Sequence, residues 1–310
     1  MPDYLKTIIF DITQATIAAS IASHSFFGLG DEKAADEAAV EAMRKVLNKL
    51  PVSGKIVIGE GERDVAPMLY IGEILGLGGV KIDIAVDPLE GTTILAKGAN
   101  DALSVIAVSN AGDLLHAPDL YMDKIAIGFD FSERIIDLDN TPIQNLKNIA
   151  SAKRSSIEDL SVIILNRPRH EELIAKIRES NVNVILIDDG DIAAVIGTTM
   201  GRADAYMGIG GAPEGVLAAA ALKTMGGQIC TRLITRNNLE EERAKKMGVT
   251  DLKKQYYLEE MVKGDVVFIA TGVTDGWMLK GVKYINSRIS TESMIAYSGD
   301  KSLRKITNSV

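Results

Sequence analysis

The segment Val86–Thr93 constrains the fold of this chain more than any other part of the sequence. It follows an apolar run, Ile82–Val86, that is typical of a buried strand. Two carboxylates three positions apart, Asp87 and Glu90, flank a turn that a proline stiffens. The glycine and threonine that follow indicate the start of a helix, whose free backbone N–H groups form an anion site. A strand, an acidic turn and a helix start in direct succession predict an α/β protein that binds hard cations and phosphate.

A second acidic turn lies upstream and also follows a strand-like run. It carries Glu60, Glu62 and Asp64. Bringing such carboxylates together without cations would raise their pKa values, whereas a divalent metal, which prefers oxygen ligands, removes that objection. Two acidic turns at strand ends therefore predict a metal-dependent phosphatase. From the spacing alone, two unrelated solvated turns are the alternative, and Asp36 could simply be a residue near a helix start.

Composition and charge exclude several classes of protein. The 310 residues carry a formal net charge of −8, which argues against binding to nucleic acid or to anionic membranes. The single cysteine, Cys230, excludes an intrachain disulfide and is compatible with a reducing cytosol. No apolar run approaches the roughly 20 residues that span a bilayer, and the N-terminus lacks the pattern of a secretory signal. We therefore expect a cytoplasmic protein with no membrane partner.

The pattern along the chain predicts both strands and helices. From residue 161 onward, strand–turn–helix units repeat, which favours a largely parallel or mixed sheet covered by helices. A polar helical stretch at 147–158 suggests a domain boundary near residue 150, giving domains at 1–150 and 151–310. Strands are predicted at 56–58, 82–86, 102–108, 124–128, 161–165, 182–187, 205–207, 266–270 and 294–297, and helices at 4–22, from near Asp36 to Leu50, and from Thr141 onward.

The second half of the chain carries basic and acidic turns of its own. Arg167 and Arg169 flank a proline at a strand end, an arrangement that suits a second phosphate group. Asp189 and Asp191 flank Gly190 and could accept hydrogen bonds from sugar hydroxyls, although a capped turn is an equally good interpretation.

Three further residues each have an ordinary interpretation beside the functional one. Glu214 follows the small residues Gly-Gly-Ala-Pro, which suggest close backbone approach to a ligand, yet glutamate is also common at a helix start. Thr92 could touch phosphate or polarise a water molecule, or it could only cap a helix. Tyr121 is most simply a core or rim aromatic residue.

Together these segments resemble the class II fructose-1,6-bisphosphatases of bacteria. The resemblance runs in order from about residue 8 to the C-terminal region, and several of the shared strings are long and unusual. They comprise 30–36, 58–62, 66–73, 87–92, 117–122, 168–170, 189–191 and 208–215. A broader likeness to the lithium-sensitive, magnesium-dependent phosphatases rests on the 87–92 turn alone.

The resemblance implies a fold, a reaction and a set of roles. The fold is a layered α/β/α/β/α sandwich with mixed sheets, in which residues 1–150 bind metal and phosphate and residues 151–310 bind the sugar. The implied metal ligands, for Mn²⁺ or Mg²⁺, are Asp36, Glu60, Asp87, Glu90 and Glu214. The pair that activates the attacking water is Asp64 and Thr92. The implied substrate-binding residues are Glu90, Gly91, Thr92, Tyr121, Arg167, Arg169, Asp189, Gly190, Asp191 and Gly211.

The implied reaction is hydrolysis of the 1-phosphate of fructose 1,6-bisphosphate by in-line attack of a metal-activated water, as in gluconeogenesis. Sedoheptulose 1,7-bisphosphate is the alternative substrate, and an inositol-phosphate phosphatase fits less well because the likeness outside the 87–92 turn does not extend to that group. A non-catalytic sugar-phosphate sensor would be expected to lack Asp64 or a metal carboxylate, and this chain has them all. The partners expected are the sugar bisphosphate and further copies of the chain, as a dimer or tetramer.

Overall fold

A computed structural model describes residues 4–61, 68–129 and 131–309, which contain both helices and strands. The helices are α1 (Tyr4–Thr7), α2 (Ile9–His24), α3 (Glu32–Leu47), α4 (Thr92–Ala96), α5 (Pro142–Lys153), α6 (Glu171–Glu179), α7 (Asp191–Thr199), α8 (Ala212–Met225), α9 (Asn238–Lys246) and α10 (Leu258–Met261). The strands are β1 (Val52–Ile58), β2 (Ile74–Leu75), β3 (Val80–Glu90), β4 (Leu103–Asn110), β5 (Tyr121–Ile127), β6 (Ser161–Leu165), β7 (Asn183–Ile187), β8 (Ala205–Gly211), β9 (Gln228–Ile234), β10 (Gln255–Tyr257), β11 (Val266–Gly272), β12 (Lys283–Ile285), β13 (Arg288–Tyr297) and β14 (Ser302–Ser309).

The chain divides into two compact units. The first unit contains residues 1–116 and 262–310, and the second contains residues 117–261. The boundary that the sequence predicts near residue 150 therefore differs from the structure, because that position lies in α5, inside the second unit. The polar residues that suggested a linker form the outer side of an amphipathic helix, while Leu146, Ile149 and Ala150 are buried in the core of the second unit.

The first unit is built on an eight-stranded mixed sheet. Its strand order is β12-β13-β11-β4-β3-β1-β2, with β14 paired to β13. β1 and β3 run parallel to each other, and the remaining neighbours are antiparallel. The C-terminal strands thus return to the sheet that the N-terminal part begins, which is why this unit is discontinuous in sequence.

Helices α2 and α3 cover one face of this sheet. Their buried side chains, such as Ile12 and Met43, join alternate residues of the central strands, such as Ile84 and Ile106, in one apolar core. α2 is buried along several sides because it packs against both α3 and the sheet. Its polar side chains are accommodated by hydrogen bonds, such as that between the hydroxyls of Thr16 and Thr271 at 2.7 Å.

The second unit holds a six-stranded mixed sheet with the order β10-β9-β5-β8-β6-β7. β6 runs parallel to both β7 and β8, as the repeated strand–turn–helix pattern predicts. Side chains of α5 and α6, such as Leu146 and Ile177, pack on one face against Ile125 and Ile164. Helices α7 and α8 contact each other and strand β5.

The predicted α/β class with mixed sheets is confirmed, and each strand predicted from the sequence is present. The predicted helix at 4–22 is divided into α1 and α2. Strands β2, β9, β10, β12 and β14 were not predicted; β14, for example, is exposed at most positions and carries no apolar alternation. Within the described ranges, no helix has both the length and the apolar character needed to cross a bilayer.

Candidate active site

A β-bulge at the end of β3 places Asp87 and Glu90 on the same face of the sheet. In a regular strand, residues three positions apart point to opposite faces. Here the register against β4 shifts by one residue between Asp87 and Glu90. Val86 and Leu89, which are also three apart, accordingly both join the core beneath the helices. The two carboxylates therefore share the opposite face, and bulges of this kind commonly re-aim side chains at active sites.

The turn after the bulge is fixed by local hydrogen bonding and by a glycine. The Leu89 N–H donates to Asp87 Oδ1 at 3.1 Å. Gly91 has φ 89°, and a Cβ there would lie 3.0 Å from Ile94 Cδ1, so L-residues other than glycine are disfavoured. Gly91 is the N-cap of α4 and Thr92 is its first residue. Thr92 thus does not cap the helix, which removes the ordinary interpretation of that threonine.

The first acidic turn lies at the same edge of the sheet. Because β1 and β3 are parallel, with Ile58 opposite Ala85, Glu60 and Asp87 each lie two residues beyond a paired position. The Glu60 N–H donates to the Leu69 carbonyl at 3.1 Å, which closes the turn. The structure therefore brings these two predicted ligands to neighbouring strand ends. The predicted roles of Glu62 and Asp64 lie outside the described residues.

Asp36 lies in the first half of α3, a helix that contacts both α4 and β3. It is half-buried. Burial, followed by the charge of the neighbouring Glu37, raises the pKa of Asp36 to about 6. A carboxylate in this setting gains from a nearby cation, which would favour its charged form and lower that pKa again.

The predicted metal ligands of the first unit are all carboxylates. Oxygen donors of this kind match the preference of hard divalent cations such as Mg²⁺ and Mn²⁺, so the donor chemistry fits. The raised pKa of Asp36 and the burial of Glu90, which is 4% exposed, are consistent with charges that a cation would offset. In the part of the chain that the structure describes, however, no three His, Cys, Asp or Glu side chains lie close enough together to form a complete site.

In the second unit, Tyr121 contacts two guanidinium groups. Its ring centroid lies 4.9 Å from Cζ of Arg169 and 4.9 Å from Cζ of Arg236. Arg236 was not predicted from the sequence, since no pattern around it marks a ligand. Its side chain also pairs with Glu240 at 2.5 Å. The phenol thus lies in a positively charged setting, which suits an anionic ligand better than an apolar core.

The turn that carries Arg167 and Arg169 is held to β8 through the backbone N–H and carbonyl of one residue, Ile209. Arg169 donates to the Ile209 carbonyl from Nε at 3.0 Å and from Nη2 at 2.8 Å. His170 accepts the Ile209 N–H on Nε2 at 2.8 Å, and its Nδ1 is 2.7 Å from the Leu165 carbonyl. These side chains line a cavity of about 230 Å³ in the second unit.

The predicted sugar-binding turn at 189–191 begins α7. Gly190, the N-cap of α7, adopts φ 86°, and its N–H donates to Asp189 Oδ1 at 3.0 Å. This bond joins adjacent residues, and the start of α7 has no side-chain capping hydrogen bond among the described residues, so the capped turn is not observed. Asp191 is buried, and its carboxylate forms an ion pair with Lys124 of β5. Lys124 was missed in the sequence, although a lysine at a buried position of an apolar strand is the signal that could have found it.

The glycines before α8 make room for side chains of the protein itself. A Cβ on Gly211 would lie 1.8 Å from Oε2 of Glu214, and one on Gly210 would lie 2.4 Å from Oδ2 of Asp191. The sequence interpretation was that these small residues allow close approach to a ligand. In the structure the carboxylates of Glu214 and Asp191 lie beside these glycines, and the close approach of a ligand stays a prediction.

The sequence and the structure were also compared with those of known proteins. Residues 6–310 match the family described as bacterial fructose-1,6-bisphosphatase, glpX-encoded. A Synechococcus protein named D-fructose 1,6-bisphosphatase class 2/sedoheptulose 1,7-bisphosphatase is 42% identical, covering 95% of this chain and 92% of its own length. A Haemophilus influenzae protein named fructose-1,6-bisphosphatase class 2 is 41% identical, with 97% and 95% covered. A solved inositol monophosphatase from Anabaena is 16% identical, with 66% and 75% covered and a TM-score of 0.36.

Proposed function

Because this chain belongs to the bacterial class II fructose-1,6-bisphosphatase family, we propose that it hydrolyses the 1-phosphate of fructose 1,6-bisphosphate to fructose 6-phosphate and phosphate. The family's chemistry is hydrolysis of a phosphoric monoester, and it depends on a divalent metal. The observation that carries the proposal is the bulged end of β3, which sets Asp87 and Glu90 on one face beside the parallel end of β1.

The residues that would hold the cation are Asp36, Glu60, Asp87, Glu90 and Glu214. When bound, Mn²⁺ or Mg²⁺ supplies positive charge that polarises the phosphoryl group and acidifies water. Carboxylate ligands accept either ion, so we propose both as cofactors. The first unit, which carries four of these five residues, is proposed to bind metal and the scissile phosphate.

The chain's own groups then position the phosphate and move one proton. The backbone at Gly91 and the hydroxyl of Thr92 follow directly on Glu90 and are proposed to orient the phosphoryl oxygens. Asp64 is proposed to accept the proton of the attacking water, directly or through Thr92. The water oxygen bonds to phosphorus as the bond from phosphorus to the sugar oxygen breaks, in line and without a covalent phosphoenzyme. The leaving sugar oxygen takes a proton from solvent, and Asp64 returns its proton to solvent.

The second unit is proposed to bind the rest of the substrate. Arg167, Arg169 and Tyr121 would hold the distal phosphate, a role supported by the cationic setting of the Tyr121 ring. Asp189, with Gly190, Asp191 and Gly211, would orient the sugar through its hydroxyls. We also propose a cytoplasmic protein that forms a homodimer or homotetramer.

A second substrate is supported by the comparisons. The Synechococcus relative is named for both fructose 1,6-bisphosphate and sedoheptulose 1,7-bisphosphate hydrolysis. We therefore propose sedoheptulose 1,7-bisphosphate as the alternative substrate. The two bisphosphates differ by one carbon between the phosphate groups, so the same catalytic residues would serve both.

The test is phosphate release by the purified protein with Mn²⁺, Mg²⁺ or EDTA. Fructose 1,6-bisphosphate, sedoheptulose 1,7-bisphosphate and inositol monophosphate are compared as substrates. We expect metal-dependent release, fastest on fructose 1,6-bisphosphate, and a loss of about 100-fold or more in Asp87→Asn. The matched control is Asp83→Asn, because Asp83 belongs to the same strand but accepts the Gly112 N–H at 2.7 Å. No release by folded, metal-loaded protein, or full activity in Asp87→Asn, would overturn the proposal.

Asp64 is tested separately because its role depends on the family resemblance. Asp64→Asn is expected to abolish turnover and to leave the affinity for fructose 1,6-bisphosphate nearly unchanged, since it removes the proton acceptor and not a phosphate ligand. Affinity that fell as steeply as turnover would contradict that role.

A further inference from the structure

Lys124 is the buried cation of the second unit that the proposed reaction leaves unexplained. It lies in β5 and is 2% exposed. Its ammonium group forms an ion pair with Asp191, the first residue of α7, and donates to the carbonyl oxygen of Gly211, the N-cap of α8, at 2.9 Å. A single side chain from the sheet thus binds the starts of two neighbouring helices.

The surrounding backbone is shaped to admit this side chain. A Cβ on Gly210 would lie 2.8 Å from Lys124 Nζ, and one on Gly215 would lie 3.4 Å from Lys124 Cδ and 2.8 Å from Met122 Sδ. Glycine at both positions lets α8 and the preceding strand approach β5 closely. Tyr206 adds a hydrogen bond from its hydroxyl to Asp191 Oδ2 at 3.3 Å.

Stability is a poor explanation for this ion pair. Removing two charges from water costs about as much free energy as their attraction returns, so apolar residues of equal volume often stabilise as well or better. A positive charge also lies unfavourably at helix N-termini, which carry partial positive charge themselves. The carboxylate of Asp191 offsets that penalty. What the pair does provide is a fixed geometry, because both helix starts are bonded to one atom, Nζ.

The geometry of α8's start in turn determines where the Glu214 carboxylate lies. A Cβ on Gly211 would lie only 1.8 Å from Oε2 of Glu214, so the Glu214 side chain folds back over Gly211. Gly211 is also the residue whose carbonyl oxygen accepts the hydrogen bond from Lys124. A shift of Gly211 would therefore move into or away from the Glu214 carboxylate. Asp191, the first residue of α7, is connected to the same lysine through the ion pair, and Asp189 lies two residues before it on the same turn.

We propose that Lys124 is a positioning residue: by binding Asp191 and the Gly211 carbonyl together, it sets the Glu214 carboxylate for the divalent cation and the 189–191 turn for the sugar. This inference rests on the proposed function, in which Glu214 is a metal ligand. Residues that orient metal ligands in this way commonly change metal affinity when they are replaced.

The experiment is a titration of the EDTA-stripped, full-length protein with Mn²⁺ alone, read as the dissociation constant. Lys124→Gln removes the charge and shortens the reach of the donor, and we expect it to weaken Mn²⁺ binding by about 10- to 100-fold. Tyr206→Phe is the matched control, because it removes a bond to Asp191 and leaves the Lys124 ammonium and its bond to the Gly211 carbonyl in place; we expect less than about a threefold change. Gly211→Ala should weaken Mn²⁺ binding as Lys124→Gln does, because its Cβ displaces Glu214 while the ion pair stays intact.

Two further measurements separate this inference from the proposed function. Glu214→Gln is titrated alongside: unchanged Mn²⁺ affinity in that variant would refute the metal site itself. If Glu214→Gln binds Mn²⁺ more weakly but folded Lys124→Gln binds it as wild type does, only the role of Lys124 is refuted. If Lys124→Gln does not fold, Lys124→Arg is used instead, since it keeps the charge but moves the hydrogen-bond donors. Wild-type Mn²⁺ affinity in Lys124→Arg would overturn the inference.

Discussion

Replacing His170 with leucine is predicted to destabilise the second unit, because this ring completes the sheet where β6 ends. β8 pairs with β6 only at Ala205 and Tyr206, so Ile209 lies beyond the last residue of that partner strand. The His170 ring, which is 1% exposed, takes the place of a neighbouring strand by accepting the Ile209 N–H and by contacting the Leu165 carbonyl.

The magnitude follows from these two bonds. Leucine can make neither bond. The buried Ile209 N–H is left without the His170 acceptor at a cost of about 1–3 kcal/mol, whereas the Leu165 carbonyl still accepts the Arg167 N–H at 2.9 Å, so its lost bond costs about 0.5–1.5 kcal/mol. The expected loss in the free energy of unfolding is therefore about 1.5–4.5 kcal/mol, large against a typical total of about 5–15 kcal/mol.

The loss should also depend on pH. Burial, together with the charges of Arg169 and Arg167, lowers the pKa of His170 below 6.5. A protonated ring could no longer accept the Ile209 N–H. The unfolded state therefore binds more protons between the two pKa values, and the stability that neutral His170 provides is present above about pH 6.5 and is lost as the pH falls through the folded pKa. The difference between wild type and variant should shrink accordingly.

The assay is urea unfolding of wild type and His170→Leu at about pH 8 and about pH 5, followed by circular dichroism. The single tryptophan, Trp277, lies in the first unit, so its fluorescence reports separately on the unit that the substitution leaves intact. The control is the exposed neighbour Glu171→Gln, expected to stay within about 0.5 kcal/mol of wild type. A loss below about 1 kcal/mol at pH 8, or an equal loss at both pH values, would refute the reasoning.

Three other outcomes are expected. Gly91→Ala should lose about 1–2 kcal/mol of stability and most turnover. Gly112→Ala, where φ is a similar 92° but the surrounding space is open, should lose stability alone. Melting curves measure the stability of the two variants, and phosphate release measures their turnover. Cys230 is fully buried, and burial raises its pKa to about 11, so a thiol reagent should modify it only after denaturation; equal rates in native and unfolded protein would contradict this. Arg236→Ala should raise the KM for the bisphosphate and leave kcat nearly unchanged, because it removes one of the two guanidinium groups beside Tyr121; unchanged steady-state kinetics would be evidence against that contact.

Much of the fold could be predicted because the relevant signals are local. Thr141 caps α5 and Pro142 occupies its first position, as the sequence predicts, and the Thr141 hydroxyl accepts the Gln144 N–H at 3.1 Å. The strand–turn–helix succession from Ile82 to Thr92 was predicted for the same reason. Each of these features is decided within a few residues by backbone hydrogen bonding and steric preference.

The domain boundary could not be predicted, because it depends on pairing between distant strands. β11 joins β4 across more than half of the chain, which returns residues 262–310 to the first unit. No local feature near residue 150 reports that return, and the polar side of α5 resembles a linker when its buried side is unknown.

The candidate site divides in the same way. By itself, the sequence predicted which residues would carry the chemistry, since carboxylates on glycine- and proline-bounded turns after apolar strands can be recognised without knowing what they pack against. Only the tertiary structure decided that a bulge turns Asp87 and Glu90 to one face, and that Lys124 reaches Asp191, 67 positions away, at the start of a helix. The physical reason is that an ion pair or a strand register depends on which elements pack together, and that packing minimises the free energy of the whole unit rather than of any one segment.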